Sequence, residues 1–406
     1  MELLPALRAQ DVEVRPGAAD DAVDGHTPAC VARPVGTEQV STVLREANSR
    51  GAVVVARGHG SKLTFGAAGA APELLLDLSG CDRLLEHQPG DLIVRVEAGM
   101  PLTSLQDTLQ ASGQRLGIDE PVPNSTVGGV LATNTSGPRR LHTGTARDLL
   151  IGATVVLADG TIAHSGGKVV KNVAGYDLGK LMVGSLGTLG IITEATFRLH
   201  PIPARAAWIS ASVDPARLES LLARLCDTQL APSALEIDWP ATDQPTVATL
   251  LEGTVDGVSA RIDAARAEFA VPTAVQDTLD WPWQPPAATD GSEVLLKLTC
   301  RLGAVAELAA AAHDLGLHVR GAAGTGVLYA AASAETGVDG LHRMLQDLRT
   351  RAGHEGGAVV VVTAPLELRR ELDVWGPVHG LPVMRRLKQE FDPGRLLAPG
   401  RFVGGI

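Results

Sequence analysis

The residues best suited to chemistry lie in three glycine-rich segments in the first half of the chain, at 57–66, 124–137 and 184–190. Glycine lets the main chain approach a ligand closely and aim successive N–H groups at an anion, so such loops suit a pyrophosphate. Turns explain a single loop of this kind. Three in one region, the first directly after an apolar run, point to a cofactor that carries phosphate. Two common phosphate motifs are missing. Gly58-His59-Gly60 is followed by Leu63 where the dinucleotide-binding fingerprint needs its third glycine. Gly179-Lys180 is followed by Leu181 rather than by the Ser or Thr of a nucleoside-triphosphate loop. Cys30, Cys81, Cys226 and Cys300 are far apart, with no C-x-x-C pair of the kind that holds zinc or an iron-sulfur cluster, so no metal is expected here.

These segments need elements to hold them. Thr37 is suited to cap a helix in which Val40, Val43, Leu44 and Ala47 fall at helical spacing and which Gly51 closes. Val53 to Ala56 is a β-branched run that reads as a buried strand leading straight into Arg57. Leu74 to Leu78 and Leu92 to Val96 read as short strands, and Leu102 to Gly113 as a helix. Residues 119–148 are polar and nearly without periodicity, too long for an ordinary connection, so a functional loop is expected there. Asp159-Gly160 between two apolar runs signals a type I′ hairpin. Pro201 and Pro203 mark a boundary, beyond which helices around 215–227, 259–269, 303–315 and 338–352 alternate with short strands, an α+β pattern. In the tail, Val383, Met384, Leu387 and Phe391 share one helical face that stops at Asp392-Pro393.

Composition narrows the partners. A chain of 406 residues suggests two or three domains. A net charge of -11 repels phosphate backbones, and aromatic residues, at 3%, are too scarce to stack bases, so no nucleic acid is expected. Met1-Glu2-Leu3-Leu4-Pro5 has an acid where a signal peptide wants a base. The best apolar run, Leu149 to Ala158, is strand-sized, so no transmembrane segment is expected. A cytoplasmic location with reduced thiols is the expectation.

Taken in order, the segments resemble the FAD-binding domain of the vanillyl-alcohol oxidase and p-cresol methylhydroxylase superfamily. The resemblance rests on Arg57-Gly58-His59-Gly60-Ser61-Lys62 as the pyrophosphate loop, on Thr126 to Gly137 as the second flavin loop, and on Gly184-Ser185-Leu186-Gly187-Thr188-Leu189-Gly190-Ile191-Ile192-Thr193. Lys171-Asn172-Val173-Ala174-Gly175-Tyr176-Asp177 is similar to the 2-hydroxy-acid dehydrogenase branch, and with Gly137-Pro138-Arg139-Arg140 to the FAD-binding subunits of bacterial glycolate oxidases. Leu387 to Pro393 and Leu397 to Arg401 resemble the closing helix and flavin-side loop of that family.

The resemblance implies an α+β fold: a lead at 1–27, a two-subdomain p-cresol methylhydroxylase-type FAD-binding domain at 28–204, an α+β cap domain at 205–375, and a C-terminal segment, 376–406, that returns to the FAD domain. It implies FAD held non-covalently, because Ser61 stands where some relatives attach the flavin through a histidine. Arg57, Gly58, His59, Gly60, Ser61 and Lys62 would face the pyrophosphate, with no proton transfer assigned to His59. Thr126, Gly128, Gly129, Ala132, Thr133, Asn134, Ser136 and Gly137 would line its ribityl side, and Pro121, Gly144, Gly190 and Ile192 complete the set. Arg139 and Arg140 are candidates for a substrate carboxylate, with exposed loop arginines an equal reading. Lys171 and Tyr176 are further candidates, with a structural ion pair as the rival. Trp281 and Trp283 read as packing anchors.

The implied reaction is oxidation of glycolate or a related D-2-hydroxy acid to the 2-oxo acid. The implied complex contains a catalytic flavin subunit and an iron-sulfur electron-transfer subunit, and its contact with the inner membrane stays open. No catalytic residue is assigned. Catalytic relatives resemble one another in a Gly-Asp-Gly-Asn-x-His and a Glu-His-Gly stretch, and Gly353-His354-Glu355-Gly356 and His379-Gly380 fit neither. Two alternatives therefore stand: a stand-alone FAD-linked enzyme for another hydroxy acid or alcohol, and a non-catalytic flavin or structural subunit.

Overall fold

The computed structural model describes residues 3–120, 122–167, 177–227, 229–279, 293–354 and 356–406. The chain divides into two compact units. Met1–Thr135, Thr145–Pro201 and Val378–Ile406 form one, and Ser136–Gly144 with Ile202–Pro377 form the other.

In the first unit β1 (Glu13–Pro16), β2 (Cys30–Arg33), β3 (Val54–Arg57) and β4 (Leu74–Asp77) form a sheet of order β1-β2-β4-β3. β4 runs parallel to both β2 and β3. Leu74, Leu75 and Leu76 are all fully buried, as an apolar run in a strand covered on both faces must be. The helix Thr37–Asn48 links β2 to β3 and turns Val40, Val43, Leu44 and Ala47 inward, as their spacing requires. Thr37 does not cap it. The cap position is Gly36, at φ 82°, and the Thr37 hydroxyl instead donates to Thr193 Oγ1 at 2.9 Å. The helix Leu3–Arg8 buries Leu7 in the same unit. The tail lies along β3: Val54 N–H donates to the Leu396 carbonyl at 2.8 Å, and Ala398 N–H to that of Val54 at 2.9 Å.

A second sheet is wholly antiparallel, with β5 (Leu84–Gln88), β6 (Ile93–Glu97), β8 (Leu150–Val156), β9 (Ile162–Gly166) and β10 (Ile191–Arg198) in the order β5-β6-β10-β8-β9. β7 (Gln114–Arg115) pairs with β11 (His200–Pro201). The hairpin between β8 and β9 forms, but not as a type I′ turn, which needs positive φ at both central residues. The turn that forms has Ala158 and Asp159 at its centre, neither at positive φ, and Gly160, at 85°, follows them and closes it by donating to the Leu157 carbonyl at 2.9 Å. Residues 119–148 are also less irregular than their composition suggests, with short helices at Val127–Thr133, Arg140–Thr143 and Ala146–Leu149. Val127, Val130 and Leu131 join a core with Leu102, Leu105 and Phe197. The intervening Gly128-Gly129 weakens the helical signal in the sequence.

The second unit is built on one antiparallel sheet: β12 (Arg205–Ser212), β13 (Ala234–Trp239), β14 (Thr246–Gly253), β15 (Ala274–Gln276), β16 (Glu293–Thr299), β17 (His318–Ala322), β18 (Val327–Ser333) and β19 (Ala358–Thr363). Their order is β15-β12-β14-β13-β17-β18-β16-β19. Helices Leu218–Asp227, Val255–Phe269, Val305–Asp314 and Gly337–His354 bury stripes of Leu, Ile, Val and Ala, giving the α+β layering expected. Among the described residues no helix is long and apolar enough to cross a membrane.

Candidate functional site

β3 ends at Arg57, and the chain then turns through the first glycine segment. Gly60 sits at φ 81°, a conformation that costs other residues energy, and its carbonyl accepts from Leu63 N–H at 3.2 Å. A Cβ on Gly58 would run into the side chain of Thr126, so the loop rests directly on the second segment. Thr126 caps the helix Val127–Thr133, accepting from Gly129 N–H at 3.2 Å. The N–H groups of His59, Gly60 and Ser61 find no acceptor among the described residues. Successive open N–H groups at a glycine turn are an anion cradle.

Lys62 closes the floor of this cradle. It is 9% exposed, and its Nζ donates to the buried Ser125 Oγ and to Ser61 Oγ at 3.4 Å. Burial pushes the ammonium down to about 8, with Glu120 partly opposing. Arg57 is arranged otherwise. Its guanidinium donates to Asp77 at 2.8 Å and Asp21 at 3.2 Å, so two carboxylates already engage the charge of this cleft-lining residue. Arg15, followed by an Ala18 N–H and Arg57, holds the Asp21 carboxyl well below the usual carboxylate range despite burial. His59 is exposed.

Two clefts in the first unit share Arg57, Gly58, Thr126, Gly129 and Ala132 and so form one groove. Residues 57–63, Thr133, Leu186 and Arg401 line one part. Gly128, Ser185, Gly187, Gly190 and Ile192 line the other, together with Leu78, Ala98 and Met182, which carry no motif signal. Gly184 and Leu186 donate to the carbonyls of Leu131 and Ala132 at 2.9 Å each, fastening the third segment to the helix of the second. Asn134 ends that helix at φ 49°, with its buried Oδ1 lacking a partner, and the Thr133 hydroxyl donates to the Gly129 carbonyl at 2.7 Å.

The tail fixes the same groove. Arg401 donates to the Leu63 carbonyl and pairs with Asp24 at 3.1 Å. Lys388 Nζ donates to Asp392 at 2.7 Å, to the Thr188 carbonyl at 2.8 Å and to the Leu397 carbonyl at 2.9 Å, all in the interior. This corrects part of the expected apolar face: Val383 is 49% exposed, Met384, Leu387 and Phe391 are half-buried, and the fully buried side chain of the helix Leu381–Phe391 is a lysine. The polar clasp anchors this helix together with Phe391, which packs against the core of Leu102, Leu105 and Phe197.

Other candidates fall elsewhere. Ser136, Gly137, Arg139, Arg140 and Gly144 belong to the second unit. Arg139 Nε pairs with the Glu252 carboxylate at 3.1 Å, and Arg140 donates to the Ser136 carbonyl while its Nε is buried without a partner. Pro121, Lys171, Tyr176, Trp281 and Trp283 lie outside the described residues.

The two sheets of the first unit, its glycine groove and the helix-backed sheet of the second unit define a flavoprotein fold. The p-cresol methylhydroxylase structure with substrate bound shares it at a TM-score of 0.76, with 17% identity, over 98% of this chain and 96% of that one. Residues 28–166, which hold the first two glycine segments, match the family described as the FAD binding domain, so the cofactor is FAD. The chain is 28% identical over 423 residues to the glycolate oxidase subunit GlcD of Bacillus subtilis, covering 92% of this chain and 89% of that protein. It is 34% identical over 155 residues to the glycolate oxidase subunit GlcE of Escherichia coli, covering 37% and 43% respectively. It spans about half the length of the first curated relatives it matches. The donor set fits the cofactor: open N–H groups, hydroxyls and a buried ammonium that donates to the Ser61 and Ser125 hydroxyls suit a pyrophosphate.

Proposed function

We propose that this chain holds FAD without a covalent bond and serves the oxidation of a 2-hydroxy acid, glycolate or D-lactate, to its 2-oxo acid. In this reading it works in a complex with a catalytic flavin subunit and an iron-sulfur subunit. The observation that carries the cofactor half is the cradle of His59, Gly60 and Ser61 N–H groups over the buried Lys62. When bound, FAD would take the hydride from the alcohol carbon and release electrons singly. The Lys62 ammonium would offset phosphate charge, and Gly58 and Gly129 would keep the groove clear of side chains. The names of the glycolate oxidase relatives support the substrate class. Arg140 is the better-placed of the two arginine candidates for the substrate, since Glu252 engages Arg139.

A second reading, an accessory flavin subunit, is favoured by the histidines nearest to the family's catalytic stretches. His354 and His379 are both exposed. Anaerobic titration of the purified chain with glycolate and D-lactate separates the readings. Loss of visible flavin absorbance by the chain alone marks a complete active site. Loss only after the iron-sulfur and flavin partners are added marks the accessory subunit. Absorbance unchanged by either acid under both conditions would contradict the proposed oxidation.

A further inference from the structure

The sheet of the second unit has two unlike faces. On one, Leu235, Ile237, Leu296, Leu298, Val319 and Leu328 are fully buried. The other carries a polar row across four adjacent strands: Asp238 of β13 stands opposite Arg320 of β17, Arg320 opposite Tyr329 of β18, and Tyr329 opposite Lys297 of β16. Directly opposed residues on antiparallel strands share a face, about 5 Å apart. One end of this row is satisfied. Asp238 accepts from Arg320 Nε at 2.8 Å and lies 2.7 Å from His318 Nε2.

The other end is not satisfied. Among the described residues, neither the Lys297 ammonium nor the Tyr329 hydroxyl has a hydrogen-bond or ion-pair partner. Arg140, on the short helix Arg140–Thr143 of the same unit, is close enough to repel the Lys297 charge, and its Nε is buried and unpaired. Two cations and a hydroxyl held together half out of water are costly unless an anion completes them. Glu252 pairs with Arg139, which leaves Arg140 and Lys297 as the two cations beside Tyr329. Three converging donors match the lone pairs of a carboxylate.

We propose that Arg140, Lys297 and Tyr329 form a carboxylate-binding site of the second unit that selects the anionic substrate, a role that rests on the hydroxy-acid reading above. Tyr329 from β18 stands opposite Lys297 and Arg140 from the short helix acts on its charge, while Arg320 of β17 and Asp238 of β13 lie further along the row, toward its other end. Burial, followed by repulsion from Arg140, pushes the ammonium down to about 8. Carboxylate affinity therefore falls as pH rises through that value.

The test is calorimetric titration of the flavin-loaded full chain with glycolate and D-lactate, with propane-1,2-diol as the neutral isostere and inorganic phosphate as the competing anion. Both hydroxy acids bind, the diol binds at least about tenfold more weakly, and phosphate binds less tightly than either acid. Lys297→Met weakens both acids about tenfold or more and flattens the pH dependence, and Tyr329→Phe weakens them a few-fold, with flavin content unchanged in both. Unaltered affinity in Lys297→Met, equal binding of the diol, or tighter binding of phosphate would each overturn the site. Hydroxy-acid binding that never bleaches the flavin, even with partners added, keeps this site and removes the oxidation. Bleaching with an unchanged KM in Lys297→Met does the reverse.

Discussion

Replacing Lys62 by Met tests the cradle with two effects of opposite sign. In the flavin-free chain the ammonium is buried against hydroxyls, with no carboxylate among the described residues bonded to it. Holding it at about 8 instead of its ordinary 10.5 costs about 3 kcal/mol. Because the folded value is the lower one, that cost is fully present below pH 8 and is relieved as pH rises from about 8 to 10.5, so the flavin-free chain gains stability over this window. Lys62→Met removes the cost, and the flavin-free variant is more stable at pH 7 by up to about 3 kcal/mol, an upper bound because the Ser125 and Ser61 bonds go with it. FAD needs the charged form. One charge-assisted bond to phosphate contributes about 1.5–3 kcal/mol, so the variant binds FAD about ten- to a hundredfold more weakly. Wild-type affinity should also fall above pH 8, by up to about tenfold per pH unit, while that of the variant stays flat. Flavin fluorescence quenching gives the affinities, and urea unfolding of the stripped chain gives the stabilities. A variant that binds FAD as tightly as wild type with the same pH slope would refute the placement of Lys62 under the pyrophosphate.

The remaining predictions concern the groove and its supports. Gly129→Val sets a Cβ 3.2 Å from Thr126 Oγ1 and 3.6 Å from Lys62 Cε, and should abolish FAD retention while circular dichroism still reports a folded chain. Gly60→Ala, at φ 81°, should cost about 1 kcal/mol in urea unfolding. Lys388→Met leaves the buried Asp392 carboxylate, among the described residues, with the Leu396 and Leu397 N–H groups alone and should cost about 3–5 kcal/mol, read in the same assay. Asp21→Asn weakens the pairing with Arg15 and Arg57. The stability that pairing contributes is present above the ordinary carboxylate range and lost as pH falls below it, so the variant should show a smaller loss of stability than wild type in acid unfolding.

Local signals made part of this architecture legible in the sequence. A β-branched run ending in Arg57-Gly58 locates β3 and its turn, and the spacing of Val40, Val43, Leu44 and Ala47 locates the helix between β2 and β3. What depends on distant partners was hidden. Arg57 reads as a phosphate-facing cation until the first sheet brings Asp77 and Asp21 beside it. The environment of Lys62 is set by Ser125, far along the chain. The apolar residues of the last helix suggest a core-facing stripe, yet the side chain it buries fully is Lys388, because Asp392 and two carbonyls are there to receive it. The row from Asp238 to Lys297 depends on strand register. Its one local trace is the alternation of Val294, Leu296 and Leu298 around Lys297.

The central claim is that three glycine segments of this chain form one FAD groove. The visible spectrum of the purified chain, recorded before and after acid precipitation, tests it most directly. The account predicts a yellow protein carrying about one FAD per chain, all of it released into the supernatant by acid. A colourless chain that takes up no FAD on reconstitution would contradict the groove, and flavin that stays with the precipitate would contradict the non-covalent hold.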